Sequence, residues 1–202
     1  MIYDISLELS RTTKAYPNNP TIKIKSIPGT SSNISEITIG SHSGTHVDSL
    51  RHIDNKGDTV EKLSLDSFYG KAKVLDLTLC KECITADDLM KFEIERGDII
   101  LLKTQNSLRD FKEFYPDFIY LTEDAARHLV DRGVKTLGVD SLSVQKFHSG
   151  NQVVHTIIIN SMTLFEGIDL SKVPVGEYTF AGLPLKLKGC DGAPARAILV
   201  SR

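Results

Sequence analysis

Tryptophan is absent from the chain, and cysteine occurs only three times. So few cysteines, odd in number, cannot make a disulfide framework and fit a reducing, cytoplasmic setting. No apolar run approaches the roughly 18 residues of a membrane span. Asp4 and Glu8 stand where a signal peptide would be apolar. An excess of one charge is lacking too: 24 basic and 26 acidic side chains leave a net charge of −2. Such a surface gives nucleic acid and anionic membranes no electrostatic reason to bind. No internal repeat, low-complexity linker or phosphate-binding glycine pattern occurs. What remains is the balance of a soluble globular protein, 41% hydrophobic and 25% charged over 202 residues. That length predicts a single domain, 1–202, able to bury a core without a disulfide or metal staple.

Apolar alternation at the strand period marks Ile2 to Leu7, then Thr21 to Ile27 and Ile34 to Ile39. A turn cluster, Tyr16-Pro17-Asn18-Asn19-Pro20, separates the first from the second. These segments predict an N-terminal antiparallel sheet. Further strands are expected at Ala72–Leu77, Asp98–Lys103, Val134–Val139 and Ala195–Val200. Ile84 to Phe92 predicts a short helix, with Thr85 and Asp88 as an acidic capping box. Thr122 to Arg132 predicts a longer one, capped by Thr122, apolar along Ala125, Ala126, Leu129 and Val130, and stopped by Gly133. Asn151 to Ile159 fits a buried helix or a strand equally. The sum is an α/β fold: a mixed β-sheet in which N-terminal antiparallel strands are followed by β/α units.

Histidine is unevenly placed. Of six, His42, His46 and His52 fall in one short stretch, with Asp48 two past the second. Neutral imidazoles and a carboxylate suit zinc, manganese or ferrous iron. No cysteine joins them, so the pattern is that of a catalytic site with a coordination position left for water. Gly44 permits a tight turn between the first two histidines, after a strand ending near Gly40. Solvated loop histidines are the competing explanation.

His42-Ser43-Gly44-Thr45-His46-Val47-Asp48-Ser49-Leu50-Arg51-His52 resembles the HxGTHxDxPxH signature of the cyclase-like metal-dependent hydrolases. That family includes bacterial kynurenine formamidases and isatin hydrolases. The resemblance runs on in order through Tyr3–Ser6, Leu121–Ala126, Gly138–Val144, His155 with Phe165–Leu170, and Leu183–Ala197. It implies a single domain with a swivelling β/β/α-like fold, often dimeric or of higher order. It implies a divalent metal, zinc first and manganese second, with one or two ions per chain. By position, His42, His46 and Asp48 would hold one ion and His155 and Glu166 a second, with Asp48 and Glu166 able to bridge. His52 matches the histidine that moves protons, and Tyr16 an aromatic that lies along the substrate. Leu50 and Leu142 stand where proline is common, so the chemistry is expected to survive while the pocket differs.

The remaining candidates read as structural. His155, within an apolar run, would alone be a hydrogen-bonded core histidine. His128 reads as solvated, and His148 as a loop residue. Cys80-Lys81-Glu82-Cys83 is an isolated CxxC at a strand-to-helix turn, and Cys190 a small packed residue. The expected function is cleavage of a C–N amide bond, in a small N-acyl arylamine or a cyclic amide. A lactone or ester hydrolase or a cyclase is the alternative within enzymes. A metal-binding protein without catalysis is the alternative outside them.

Overall fold

In the computed structural model, which describes residues 1–201, Ile99, Ile100, Leu101 and Leu102 are all fully buried. They lie on one strand, so successive side chains leave on opposite faces. Ile99 and Leu101 enter one apolar core, and Ile100 and Leu102 enter another. A strand apolar on both faces must be covered on both, and the architecture supplies the two covers.

The strands are β1 (Ile2–Asp4), β2 (Lys23–Ile27), β3 (Ile34–Thr38), β4 (His46–Asp48), β5 (Tyr69–Asp76), β6 (Cys83–Ile84), β7 (Ile99–Lys103), β8 (Tyr120–Leu121), β9 (Thr136–Val139), β10 (Thr163–Glu166), β11 (Gly176–Pro184) and β12 (Gly192–Ser201). The helices are α1 (Ala86–Leu89), α2 (Glu123–Arg132) and α3 (Val153–Ile159). The main sheet runs β1-β12-β11-β5-β7-β9-β10-β4, and β4 pairs again with β12. That second pairing closes seven strands into a barrel-like ring, with β1 added along β12. Pairs β5–β7, β7–β9 and β9–β10 are parallel, and the others antiparallel, so the sheet is mixed. Val47, Leu101, Phe165, Phe180 and Leu199 fill the ring. Outside it, Leu89 of α1, Leu129 of α2 and Ile158 of α3 cover Ile100, Leu137 and Leu164.

The β/α units follow the expected order, but the first helix is confined to Ala86–Leu89 with Ile84 in β6, and β4, β10 and β11 are strands that alternation did not mark. The N-terminal part differs. Strand β1 ends at Asp4, and β2 and β3 pair only with each other, as a ribbon separate from the ring. Every residue of β3 is exposed, so its alternation reports no buried face. Within Asn151–Ile159, Val153–Ile159 forms a helix despite its valines and isoleucines. The Gln145 carboxamide oxygen accepts the N–H of Val154 at 3.0 Å and of His155 at 3.4 Å, capping α3 from outside. Thr122 holds the N-cap position of α2, but its hydroxyl donates to the Ile84 carbonyl instead of accepting from the helix. Gly133 ends that helix in the left-handed conformation, as expected. Cys80, Cys83 and Cys190 are all free thiols. Among the described residues no helix is long and apolar enough to cross a membrane.

The capping box of α1 is complete: Thr85 N–H and hydroxyl both donate to Asp88 Oδ2, and Asp88 N–H donates back. The Lys91 ammonium and the Thr85 donors hold the Asp88 carboxyl down at about 2, below its ordinary 3.8. A carboxyl depressed by folding stabilises the protein above its unfolded pKa and ceases to as pH falls through the folded one. Replacing a capping side chain costs about 1 kcal/mol. Asp88→Ala is therefore expected to destabilise by about that amount at neutral pH, with the gap closing from about pH 4 towards pH 2. Urea unfolding of both proteins across that range checks it.

Candidate metal centre

Strand β4 places its three residues by the two-residue period. Val47 points into the ring core, so His46 and Asp48 point out of it. On the neighbouring strand Phe165 opposes Val47, and Glu166 opposes His46. Glu166 therefore leaves the sheet on the same side as His46, as an adjacent cross-strand pair. The ring closure that seats β4 between β10 and β12 thus puts two carboxylates and an imidazole on one buried patch.

His42 comes from the turn before β4. That turn is pinned by Thr45, whose hydroxyl accepts the N–H of Leu7 at 2.9 Å and donates to the Gly167 carbonyl at 2.5 Å. Gly44 and Gly167 both have positive φ, 60° and 67°. A Cβ on Gly167 would lie 2.5 Å from the Gly44 carbonyl oxygen, so the two turns interlock only as glycines. His155 arrives from α3. Its Nε2 lies 3.2 Å from Glu166 Oε1, and the N–H of Val144 donates to the same oxygen at 2.7 Å.

The proton positions on these rings follow from their partners. His46 Nδ1–H donates to the Gly44 carbonyl at 2.9 Å, which leaves a lone pair on Nε2. That nitrogen is 3.4 Å from Asp48 Oδ1 and 3.5 Å from Glu166 Oε2. His42 Nδ1 is 2.8 Å from Asp48 Oδ1, without hydrogen-bond geometry. His46 Nε2 and both Asp48 oxygens are buried with no hydrogen-bond partner. Lone pairs from nitrogen and carboxylate converging on one buried point favour a positive charge there. The nitrogen and oxygen donor set fits a divalent ion.

The electrostatics say the same. Burial alone would push the His46 imidazole down, but the carboxylates of Asp48 and Glu166 push it up to about 10. Burial likewise opposes charge on His42, and Asp48 and Asp191 outweigh it and raise it. Burial raises the Asp48 carboxyl, and the two imidazoles of His42 and His46 hold it well down regardless. Glu166 is raised by burial and by Asp48, and lowered on balance by His155 and His46. The carboxylates thus favour positive charge at this point, carried by protons on the imidazoles in the absence of an ion; a divalent cation would displace those protons and take their place.

The histidines and carboxylates of the signature lie close together, with His155 and Glu166 beside them. His42, His46 and Asp48 offer ligand atoms within 4.8 Å of one another, and so do Asp48, His52 and His155. His52 is presented by the short 3₁₀ turn Leu50–His52. Leu50 opens that turn, a position that proline also suits. The His52 side chain is 31% exposed, and its ring lies 4.2 Å from that of His42, centroid to centroid. Partial desolvation lowers its pKa and favours neutral imidazole.

The centre opens into a cavity of about 550 Å³. One wall is aromatic. Tyr16 meets Phe147 edge to face at 5.8 Å, and the ring of His148 lies 3.9 Å from that of Phe147. Asn18, Asn19 and Asn151 add neutral amides, and Leu142 adds an apolar side chain. His128 stays away from it.

Two residues at the site were not legible as such. Gln145 fixes the helix that carries His155, and Asp191 Oδ2 lies 2.9 Å from His42 Nε2. Both act across folds of the chain that no local spacing reveals. The only sequence signal for Asp191 is a carboxylate set between glycines in the Gly189–Gly192 loop.

Kynurenine formamidase of Salinibacter ruber (strain DSM 13855 / M31) is 28% identical over 204 residues, covering 98% of this chain and 96% of that one. Kynurenine formamidase of Bacillus thuringiensis (strain Al Hakam) is 33% identical over 169 residues, covering 83% of this chain and 79% of that one. A solved structure described as a potential metal-dependent hydrolase with cyclase activity superposes with a TM-score of 0.89 at 35% identity, over 98% of this chain and 96% of that one. The model of the family described as "Putative cyclase" matches residues 3–146. With that match and relatives above 30% identity along most of its length, the chain belongs to the cyclase family.

Proposed function

We propose that this chain hydrolyses the C–N bond of a small N-acyl arylamine, with a small cyclic amide as the neighbouring possibility. Its class is that of a metal-dependent amide hydrolase, as its formamidase relatives indicate. The observation that carries the proposal is the convergence of buried, unpartnered lone pairs from His46 and Asp48 beside His42 and Glu166, at the floor of an open cavity. His42, His46 and Asp48 would hold one ion, with His155 and Glu166 available to a second. Zinc suits the mixed nitrogen and carboxylate set, and manganese follows it. Bound by those residues, a divalent ion would supply a Lewis acid for the substrate carbonyl and a water made acidic towards pKa ~7.

The chain's own residues supply the rest. His52 stands beside the ligands without belonging to the buried lone-pair cluster, and its lowered pKa keeps it neutral at neutral pH. A neutral imidazole accepts the proton released on attack and delivers it to the departing nitrogen, which leaves an amide only once protonated. The same step separates an enzyme from a metal store, which has no use for a poised base. Tyr16 and Phe147 offer the faces and edges that an aryl group stacks on. A small molecule is the partner this cavity supports. We also propose a homodimer or higher homo-oligomer in the cytoplasm. Leu183 and Leu185, two positions apart and both exposed, support the assembly, and three free cysteines support a reducing compartment.

His52→Ala is expected to leave the metal content unchanged and to lower kcat on an N-formyl arylamine by roughly 10²–10⁴-fold, the range of general acid–base help. Elemental analysis run beside turnover reads both; metal lost in step with activity would make His52 a ligand instead. For the site itself, a saturating divalent ion at 100 times its Kd stabilises a folded protein by about 2.7 kcal/mol. Zinc should raise the Tm of the wild type and leave that of His46→Ala unmoved, as scanning calorimetry with and without the ion would show.

A further inference from the structure

Asp191 stands 149 positions from His42 in sequence and touches it in the fold. Its Oδ2 lies 2.9 Å from His42 Nε2 and 3.8 Å from His52 Nδ1. Two histidines of the site thus turn a ring nitrogen towards one carboxylate oxygen, on the side away from Asp48. We infer that Asp191 is a positioning residue of the metal centre, accepting the Nε2–H of His42 and so aiming the Nδ1 lone pair of that ring at the point shared with Asp48. The inference rests on the proposed role of His42 as a metal ligand.

The tautomer argument is direct. A neutral imidazole carries one ring proton. If it were on Nδ1, Nε2 would turn a lone pair to the Asp191 carboxylate at 2.9 Å, a repulsive contact. With the proton on Nε2, that contact becomes a charge-assisted hydrogen bond. Nδ1 then faces Asp48 Oδ1 at 2.8 Å with its lone pair free, which matches the missing hydrogen-bond geometry there. A carboxylate behind a metal-bound histidine fixes the ring and raises its basicity as a ligand.

The loop is shaped to hold Asp191 in this place. The N–H and the hydroxyl of Ser49 both donate to the Asp191 carbonyl at 2.9 Å, tying it to the residue after Asp48. The Cys190 carbonyl accepts the N–H of Val60 at 3.0 Å. Gly192 then sits opposite Asp48 in the β12–β4 ladder. A Cβ there would lie 2.7 Å from the Val47 carbonyl oxygen and 3.0 Å from His42 Cε1, so only glycine lets this strand run against the imidazole. The backbone of Asp191 is therefore fixed by groups other than the histidine its side chain orients.

His42, His52 and Asp191 also offer ligand atoms within 4.8 Å of one another, so direct ligation by Asp191 is the rival arrangement. Titrating zinc into the demetallated full-length protein against a chromophoric chelator separates the two. Asp191→Ala should bind the same number of zinc ions as the wild type with 10–100-fold weaker affinity, the usual effect of removing such a partner. Asp191→Asn keeps a neutral acceptor for the Nε2–H and should recover part of that loss. The unfolding midpoints of the metal-free proteins should stay together, which separates positioning from a general loss of structure. Zinc affinity unchanged in Asp191→Ala, with the wild type binding normally, would overturn this inference alone. Loss of a zinc equivalent would overturn it in favour of ligation, and a wild type that binds no zinc would overturn both the inference and the reading beneath it.

Discussion

Asp48 and Glu166 are two carboxylates buried side by side, and each makes the other's charge harder to bear. Isolated in a protein interior, an ionised carboxylate costs several kcal/mol after relaxation. Here the cost is met by imidazoles on three sides, and Asp48 still has no hydrogen bond to either oxygen. Every neighbouring element is arranged to concentrate this unmet demand for positive charge. The Gly44 carbonyl accepts a hydrogen bond from His46 Nδ1–H so that the other ring nitrogen faces inward, and the N–H of Val144 steadies Glu166. The cluster reads as a site whose polar groups are satisfied by a cation and by little else.

Barrel closure makes that arrangement possible. Strand β4 is three residues long, and by itself such a strand would be marginal. It is held on both edges, by β10 and by β12, and Val47 is driven into the ring core against Phe165. The same apolar anchor that closes the ring forces His46 and Asp48 outward. Stability and chemistry thus share one strand. A substitution that loosens Val47 would tilt both ligands, although Val47 touches neither substrate nor metal in the proposed mechanism.

The local features of this fold were legible in the sequence. The β/α units announced themselves through caps and periods, as with Thr85, Asp88 and Gly133. The histidine signature carried its meaning in its spacing, because His46 and Asp48 are two apart on one strand. Long-range features were not legible. Nothing in Ile34–Thr38 distinguishes an exposed ribbon from a strand of the main sheet, since alternation records a preference for faces and not the presence of a neighbour. Ring closure depends on β4 meeting two strands more than a hundred residues later. The valines and isoleucines before Asn160 gave no clear period, and Gln145, from a different segment, decides for helix. Asp191 is silent for the same reason: its partner is at the other end of the chain.

The central claim is that the side chains of His42, His46 and Asp48 surround a divalent ion. Anomalous diffraction at the zinc edge, from crystals of the zinc-loaded protein, addresses it without reference to any substrate. The account predicts an anomalous peak bounded by His42, His46 and Asp48, at ordinary ligand distances of about 2.0–2.3 Å. A peak held elsewhere, or these side chains turned apart in the presence of zinc, would contradict it.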